Sequence, residues 1–208
     1  MKILYPLKGI GNIPGIYLTQ RFGEHPEIYS QFGMKGHNGL DFGCPVGTSI
    51  LAPFDGIVSY ADETTNYGTG YGMDARLMIS LNGLQYELIF GHLSEYKIPG
   101  AYSMGDVIAL SGDTGFSTGP HLHFGIRPYL NGQIADYNNG YLGWVNPEPF
   151  MRMIVRTLKL DGTKELGYYI PADTEDRFAS LQGEIKNLED YQLDDTQFLV
   201  PKKWNNPI

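Results

Sequence analysis

The strongest structural signal in this chain is a pair of apolar, β-rich segments on either side of Asn82-Gly83. Residues 76–81 read Arg-Leu-Met-Ile-Ser-Leu, and residues 84–90 read Leu-Gln-Tyr-Glu-Leu-Ile-Phe. An Asn-Gly pair between two such runs favours a hairpin, because both residues of the tight turn need positive φ. The segment therefore predicts two antiparallel strands, which commits the surrounding chain to a sheet.

Similar short apolar segments recur through the first 150 residues. They are residues 49–60, 106–111 and 121–126. The first of these predicts two short strands, broken at Pro53 and turned at Asp55-Gly56. The 27 glycines and 15 tyrosines among 208 residues are typical of short strands joined by many turns. Because this region contains no convincing amphipathic helix, we predict a mainly β, antiparallel domain over residues 1–150.

Two polar segments, residues 61–74 and 128–149, interrupt the predicted strands. Both are rich in glycine, asparagine and aromatic residues, and we predict long loops. Loops carried on a rigid sheet often contact ligands. Tyr67, Tyr71 and Trp144 in these loops are candidates for such contacts, with packing in the core as the alternative for each.

The pattern changes in residues 151–208, which we predict to be a C-terminal extension. Residues 153–160 and 163–170 flank Asp161-Gly162 and predict a second hairpin. Residues 174–191 predict one helix, and the tail from 194 to 208 has no periodicity. The helix carries an apolar stripe at spacings of three and four, formed by Phe178, Leu181, Ile185 and Leu188. We expect this extension to dock on a partner, such as a virion or a second copy of the chain.

Charge and hydropathy exclude several classes of protein. The net charge is −8, and the largest basic cluster is Lys202-Lys203, so we expect no nucleic acid partner. The chain has no apolar run long enough for a signal peptide or a membrane span. The sequence therefore predicts a chain made in the cytoplasm.

Three of the five histidines lie in two short motifs, His37-Asn-Gly-Leu-Asp41 and His121-Leu-His123. Side chains two residues apart in a strand share a face, so His121 and His123 project together. His37 and Asp41 do so as well if their segment is extended, and Gly39 between them is expected to leave room for a metal. Imidazole and carboxylate groups suit zinc, and catalytic zinc sites commonly use three protein ligands.

The remaining candidate ligands have simpler interpretations. Cys44 follows Asp41 by three residues, but as the only cysteine it is expected to be a small buried apolar residue. His25 has no matching motif and is expected to be structural or at the surface. The helical motif His-Glu-x-x-His is absent, so no glutamate is placed as a catalytic base and the spare histidines must take that role.

These motifs resemble the lysostaphin/LytM-type peptidases, the M23 family of zinc endopeptidases. The resemblance spans about residues 18–150. The motifs that carry it are residues 37–48, the segment Ala52-Pro-Phe-Asp-Gly-Ile-Val58, the motif Phe90-Gly-His-Leu93 and residues 114–124. It implies a β-sheet groove with long loops. It also implies that Zn²⁺ is held by His37, Asp41 and His123, with His92 and His121 as a catalytic pair.

The resemblance further implies hydrolysis of peptide bonds in bacterial peptidoglycan, in cross-bridges or stem peptides. Two alternatives stay open. One is a catalytically silent module with a structural or binding role in a virion, and the other is a peptidoglycan D,D-carboxypeptidase. A domain that degrades cell walls without a signal peptide favours a bacteriophage endolysin or a virion-associated lysin. The protein would then reach the cell wall by release from the host or from the virion.

Overall fold

The computed structural model describes residues 3–7, 16–62, 70–81 and 83–152, and the backbone of four strands beyond them. The chain divides into two compact units, residues 1–152 and 153–208. Within the described residues, no helix is long and apolar enough to cross a membrane.

The described part of the first unit is built from short strands with a single turn of α-helix. The strands are β1 (Ile3–Leu4), β2 (Tyr17–Gln20), β3 (Leu40–Gly43), β4 (Ser49–Leu51), β5 (Gly56–Asp62), β6 (Met73–Leu81), β7 (Leu84–Gly91), β8 (Leu93–Tyr96), β9 (Gly100–Tyr102), β10 (Val107–Ser111), β11 (His121–Leu130), β12 (Gln133–Ile134) and β13 (Met151–Arg152). The helix α1 spans Pro26–Tyr29, and 3₁₀ turns cover Ser30–Phe32 and Glu148–Phe150.

One large antiparallel sheet organises this unit. Its strand order is β2-β3-β11-β7-β6-β5-β9, with β12 paired to β11. The predicted hairpin is confirmed: β6 and β7 pair antiparallel, and Leu81 lies opposite Leu84. A smaller sheet has the order β4-β10-β8, while β1 and β13 form a parallel pair. The mainly β, antiparallel fold class is therefore confirmed.

The core lies against one face of the large sheet. On β11, Leu122, Phe124 and Ile126 are fully buried, and the Phe124 ring packs 5.4 Å from that of Phe90 on β7. The alternation of a strand sends His121 and His123 to the opposite face. The apolar residues between and after the histidines thus anchor the strand that presents them.

Two segments of the first unit differ in detail from the sequence prediction. β4 and β5 do not pair with each other, because β4 joins β10 in the smaller sheet and β5 joins β6 in the large one. Residues 128–149 begin with a short hairpin rather than a loop, since Tyr129 pairs with Ile134 across Asn131-Gly132.

The four described strands of the second unit form two antiparallel pairs. β14 (Val155–Leu160) pairs with β15 (Lys164–Tyr169), and β16 (Tyr191–Leu193) pairs with β17 (Leu199–Pro201). The sequence shows no periodicity after residue 194, because β17, with three residues, is too short to produce one. The helix predicted for 174–191 lies outside the described residues, apart from Tyr191 at its end. The assignment of 151–208 as a docking extension stays a prediction.

Candidate metal centre

The pairing of β3 with β11 brings the two motifs together. Asp41 lies directly opposite His123, and Gly43 lies opposite His121. His37 stands just before β3, and its imidazole is buried with the side chains of Asp41 and His123. Residues more than 80 positions apart in the chain therefore meet on one face of the sheet.

Three potential ligand atoms form a tight triangle at this point. His37 Nε2 lies 2.9 Å from His123 Nδ1 and 3.1 Å from Asp41 Oδ1, and His123 Nδ1 lies 3.0 Å from Asp41 Oδ1. Neighbouring ligand atoms in a tetrahedral zinc site are about 3.3 Å apart. Among the described residues, these three are the group of histidine, cysteine and acidic side chains close enough to hold one ion. The donor set and its spacing fit Zn²⁺.

Backbone contacts fix which nitrogen of His37 faces the triangle. Its Nδ1 lies 3.2 Å from the carbonyl oxygen of Arg21. A carbonyl can only accept, so Nδ1 carries the proton and donates it, and Nε2 presents a lone pair to the other ligand atoms. Such a contact orients a ligating histidine and sets its tautomer.

The glycine between His37 and Asp41 does not leave open space for a metal, contrary to the sequence prediction. A Cβ added to Gly39 would lie 2.4 Å from the carbonyl oxygen of Phe124 and 2.7 Å from Cε1 of His123. The space at Gly39 is therefore filled by the His123 ring. His123 Nε2 is buried there without a hydrogen-bond partner among the described residues, and its Nδ1 faces the triangle.

Burial and contacts set the charges of the cluster. Burial alone would raise the pKa of Asp41, but its close contacts with the imidazoles of His123 and His37 outweigh burial and hold that pKa well below its usual range. Burial lowers the pKa of His123 to about 4. At neutral pH the cluster thus offers a carboxylate at Asp41 and a neutral imidazole at His123, which are protonation states that a metal requires.

His92 and His121 form a second pair beside the triangle, with ring centroids 4.4 Å apart. His92 donates from Nδ1 to the carbonyl oxygen of Thr114 at 2.7 Å, and His121 donates from Nδ1 to that of Gly119 at 2.8 Å. Because both Nδ1 atoms are committed to carbonyl oxygens, Nε2 is the nitrogen of each ring that is available to the site. His121 Nε2 lies 3.7 Å from the second oxygen of Asp41, which places the pair next to the ligand cluster.

The backbone of His92 is held in an unusual conformation. Its φ is +61°, in the left-handed region that only a few per cent of non-glycine residues adopt, and its amide donates to the carbonyl of Tyr71 at 2.8 Å. Burial lowers the pKa of His92 to about 3, with the neighbouring His121 adding to the effect. Such strain is often found where a side chain must be aimed at a site.

Two adjoining cavities form a groove at the cluster. A cavity of about 120 Å³ lies on one side and reaches Ile28, Phe32 and Phe116. A more open one of about 430 Å³ lies on the other side and reaches Tyr17 and Gly43. The two share Gln20, Asp41, Thr118 and His121.

The three aromatic candidates for substrate contact differ in position. Tyr71 lines the smaller cavity, and its ring centroid lies 5.1 Å from that of His123. Trp144 is 3% exposed, and the guanidinium of Arg127 lies 4.4 Å above its ring. This position fits the alternative interpretation of Trp144, packing in the core. Tyr67 lies outside the described residues.

The two residues set aside in the sequence analysis lie away from the cluster. Cys44 is buried, and burial raises the pKa of its thiol, in keeping with a small packing residue. His25 is exposed and lies 3.0 Å from the Glu27 carboxylate.

Sequence and structure comparisons with known proteins point to one protein family. The sequence model of Peptidase family M23 matches residues 35–137. This chain carries an M23 peptidase domain. The matched M23 segment contains all three residues of the triangle together with His92 and His121.

Individual relatives agree with this family. The M23 domain is similar to DD-carboxypeptidase/endopeptidase Mpg of Neisseria meningitidis serogroup B, with 33% identity over 64% of this chain and 29% of the relative. It is also similar to glycyl-glycine endopeptidase ALE-1 of Staphylococcus capitis, with 36% identity over 50% of this chain and 27% of the relative. The structure of lysostaphin from Staphylococcus simulans aligns with a TM-score of 0.50 and 23% identity, covering 89% of this chain and 61% of that one, which shows a shared fold.

Sequence reasoning missed several residues that line the groove of the M23 domain. Tyr29 packs 5.1 Å from the His37 ring and donates its hydroxyl to Gln20 Oε1 at 3.1 Å. Phe32 and Phe116 line the smaller cavity. Phe116 follows Gly115 inside a recognised motif and could have been singled out as an aromatic residue in a glycine-rich block. Tyr29 and Phe32 lie in a segment without a motif.

Proposed function

We propose that this protein is a zinc-dependent endopeptidase that hydrolyses peptide bonds in bacterial peptidoglycan. The observation that carries the proposal is the adjacency of two different sets of imidazoles. One set, with Asp41, presents lone pairs to a common point, and the other is held with its Nε2 atoms free. A module that only binds peptide has no need of the second set.

His37, Asp41 and His123 would hold the ion. Zinc bound there supplies Lewis acidity and makes a water molecule nucleophilic at neutral pH. The buried carboxylate of Asp41 neutralises part of the ion's charge, and the carbonyl of Arg21 keeps His37 in the tautomer that can bind it.

His92 and His121 take the proton-transfer roles. Each has its Nδ1 proton committed to a backbone carbonyl, so each can accept a proton only at Nε2. One of them receives the proton of the attacking water, and a protonated imidazole can then stabilise the developing oxyanion and pass the proton to the leaving amine. Their rings are 4.4 Å apart, so both can reach one reacting group.

The decisive test uses the zinc-loaded protein on purified peptidoglycan, with the products identified by mass spectrometry of muropeptides. We expect His121→Ala to retain zinc and lose turnover by roughly 10²- to 10⁴-fold, the usual contribution of a general base. His25→Ala is the matched control, since that histidine is exposed and outside the groove, and it should cleave as the wild type does. A zinc-loaded wild type that leaves every muropeptide intact would contradict the proposal and favour the catalytically silent module.

A second candidate function is D,D-carboxypeptidase activity. It is supported by the relative Mpg, whose name includes both activities and which is 33% identical to this chain over 137 residues. The chain spans 29% of that relative, so its other segments have no counterpart in the match. Release of single terminal D-alanine, with cross-links left intact, would replace the endopeptidase assignment by this one.

The docking role of residues 151–208 is a further part of the proposal, and it rests on the apolar stripe of residues 178–188 in the sequence. We expect Leu181→Asp to lower the mass of any assembly in light scattering while leaving peptide cleavage unchanged. An unchanged mass would remove the docking role. The setting in a bacteriophage, as an endolysin or a virion component, stays a prediction that detection of the protein in purified particles would test.

A further inference from the structure

The two sides of the groove differ in chemical character. On the side of the 120 Å³ cavity the wall is apolar, formed by Ile28, Phe32 and Phe116. On the other side, Thr19, Gly43 and Gly119 line the more open cavity together with the exposed ring of Tyr17. A peptide that crosses the ligand cluster must therefore place residues of one flank against packed aromatic rings and those of the other flank mainly against hydroxyl and backbone groups.

The apolar wall is a built feature rather than two isolated rings. Phe32 and Phe116 pack edge to face, with centroids 5.4 Å apart and planes at 72°. Gly70 lies under both, because a Cβ there would be 3.5 Å from Phe116 and 3.7 Å from Phe32, and its carbonyl accepts the Phe116 amide at 2.8 Å. Segments around residues 32, 70 and 116 thus converge to present one aromatic surface.

This surface is only partly covered. Phe116 is 45% exposed and Ile28 is 39% exposed. The rings line the same cavity as His92, His121 and His123, so a group seated on them lies beside the reacting bond. Covering them with an apolar group removes aromatic surface from water, whereas glycine would leave that surface wet.

A methyl group is the smallest side chain that can cover these rings. A residue that carries one therefore gains an apolar contact that glycine cannot make.

We infer that the Phe32–Phe116 surface is a specificity subsite that accepts an alanine-class, methyl-bearing residue next to the scissile bond and disfavours glycine there. The inference rests on the proposed peptidase function and deepens it, since it names the kind of peptide cleaved. The opposite flank, at Tyr17 and Gly43, carries no such preference.

Four hexapeptide sequences test the inference, with central pairs Ala-Ala, Ala-Gly, Gly-Ala and Gly-Gly, and each sequence that contains alanine is made with the L and with the D form. We expect the wild type to favour alanine over glycine at one flank by about fourfold or more in kcat/KM, the effect of burying a single methyl group. Phe116→Ser should bring that ratio close to one. Tyr17→Ser is the matched control, because it removes an exposed aromatic ring from the other end of the groove and should leave the ratio unchanged.

Binding of the same peptides to the metal-free protein, measured by calorimetry, provides a readout that does not depend on turnover. The alanine preference in Kd, and its loss in Phe116→Ser, should appear there as well. If no peptide is cleaved but the binding preference is present, the proposed function fails and the subsite stands. Equal Kd for alanine and glycine peptides, or a preference that survives in both Phe116→Ser and Phe32→Ser, would overturn the subsite.

Discussion

Gly39 is the position where a single added methyl group tests the geometry of the metal centre. In Gly39→Ala the new Cβ would lie 2.4 Å from the carbonyl oxygen of Phe124 and 2.9 Å from His123 Nε2. Carbon–oxygen contacts are normally about 3.3 Å or longer, so the first contact is short by roughly 0.9 Å. The carbonyl belongs to the central strand β11 and cannot move without disturbing the pairing with β3. The backbone at residue 39 must therefore shift, and the His123 ring beside the new Cβ must yield as well.

Two magnitudes follow from this contact. Overpacking of this kind costs about 1–3 kcal/mol of unfolding free energy. A disturbed ligand orientation typically weakens metal binding by about 10- to 100-fold. We therefore expect Gly39→Ala to lower both the thermal midpoint of the metal-free protein and its affinity for zinc.

Competition with a chromophoric chelator measures the zinc affinity, and thermal unfolding in chelator measures the stability. Gly119→Ala is the control, because no described atom lies within 4 Å of a Cβ added there. It should bind zinc as the wild type does. Wild-type zinc affinity in Gly39→Ala would refute the reasoning, since it would mean that the His123 ring is not held against this glycine.

Three further predictions concern charge and backbone strain. Glu87→Ala should cost about 3–5 kcal/mol of unfolding free energy, because it leaves the guanidinium of Arg127 without the buried carboxylate that it contacts at 2.9 Å. Glu95→Ala removes one partner of an exposed pair and should cost at most about 1 kcal/mol. Urea titration of each variant measures both free energies. His92→Val should be less stable than His92→Asn by about 1–2 kcal/mol, since a β-branched residue resists φ of +61°, and equal unfolding midpoints would contradict this. The metal-free protein should lose stability as the pH falls below about 6.5, the ordinary pKa of histidine, toward the folded-state pKa values of His123 and His92, about 4 and about 3. In this range the unfolded chain binds protons at both histidines and the folded protein does not. Equal denaturation midpoints at pH 7 and pH 4.5 would contradict this prediction.

The parts of the fold that follow from local patterns were predictable. The hairpin around Asn82-Gly83 forms as expected because turn chemistry and strand periodicity agree there. The pairing of His121 and His123 on one face follows from the same two-residue period. These are short-range rules, and they hold wherever the chain stays extended.

The environment of each side chain was less predictable, because it depends on contacts between distant segments. Periodicity places Gly39 on the same face as His37, but it does not show that the ring of His123 fills the space. Phe32 and Phe116 meet across 84 residues of sequence. Trp144, a candidate for contact with substrate, is instead covered by Arg127 from β11.

The nitrogen that each of the four histidines presents to the site could not be predicted from the sequence either. His37, His92 and His121 each have Nδ1 within hydrogen-bond distance of a backbone carbonyl, which leaves Nε2 as the free base. His123 is reversed: its Nε2 is packed against Gly39, so Nδ1 faces the other ligand atoms. A motif of identical residues two positions apart carries no information about which nitrogen each one uses. That information lies in the carbonyl groups and the glycine around the rings, which is why neighbours that do not touch the ion can decide whether it binds.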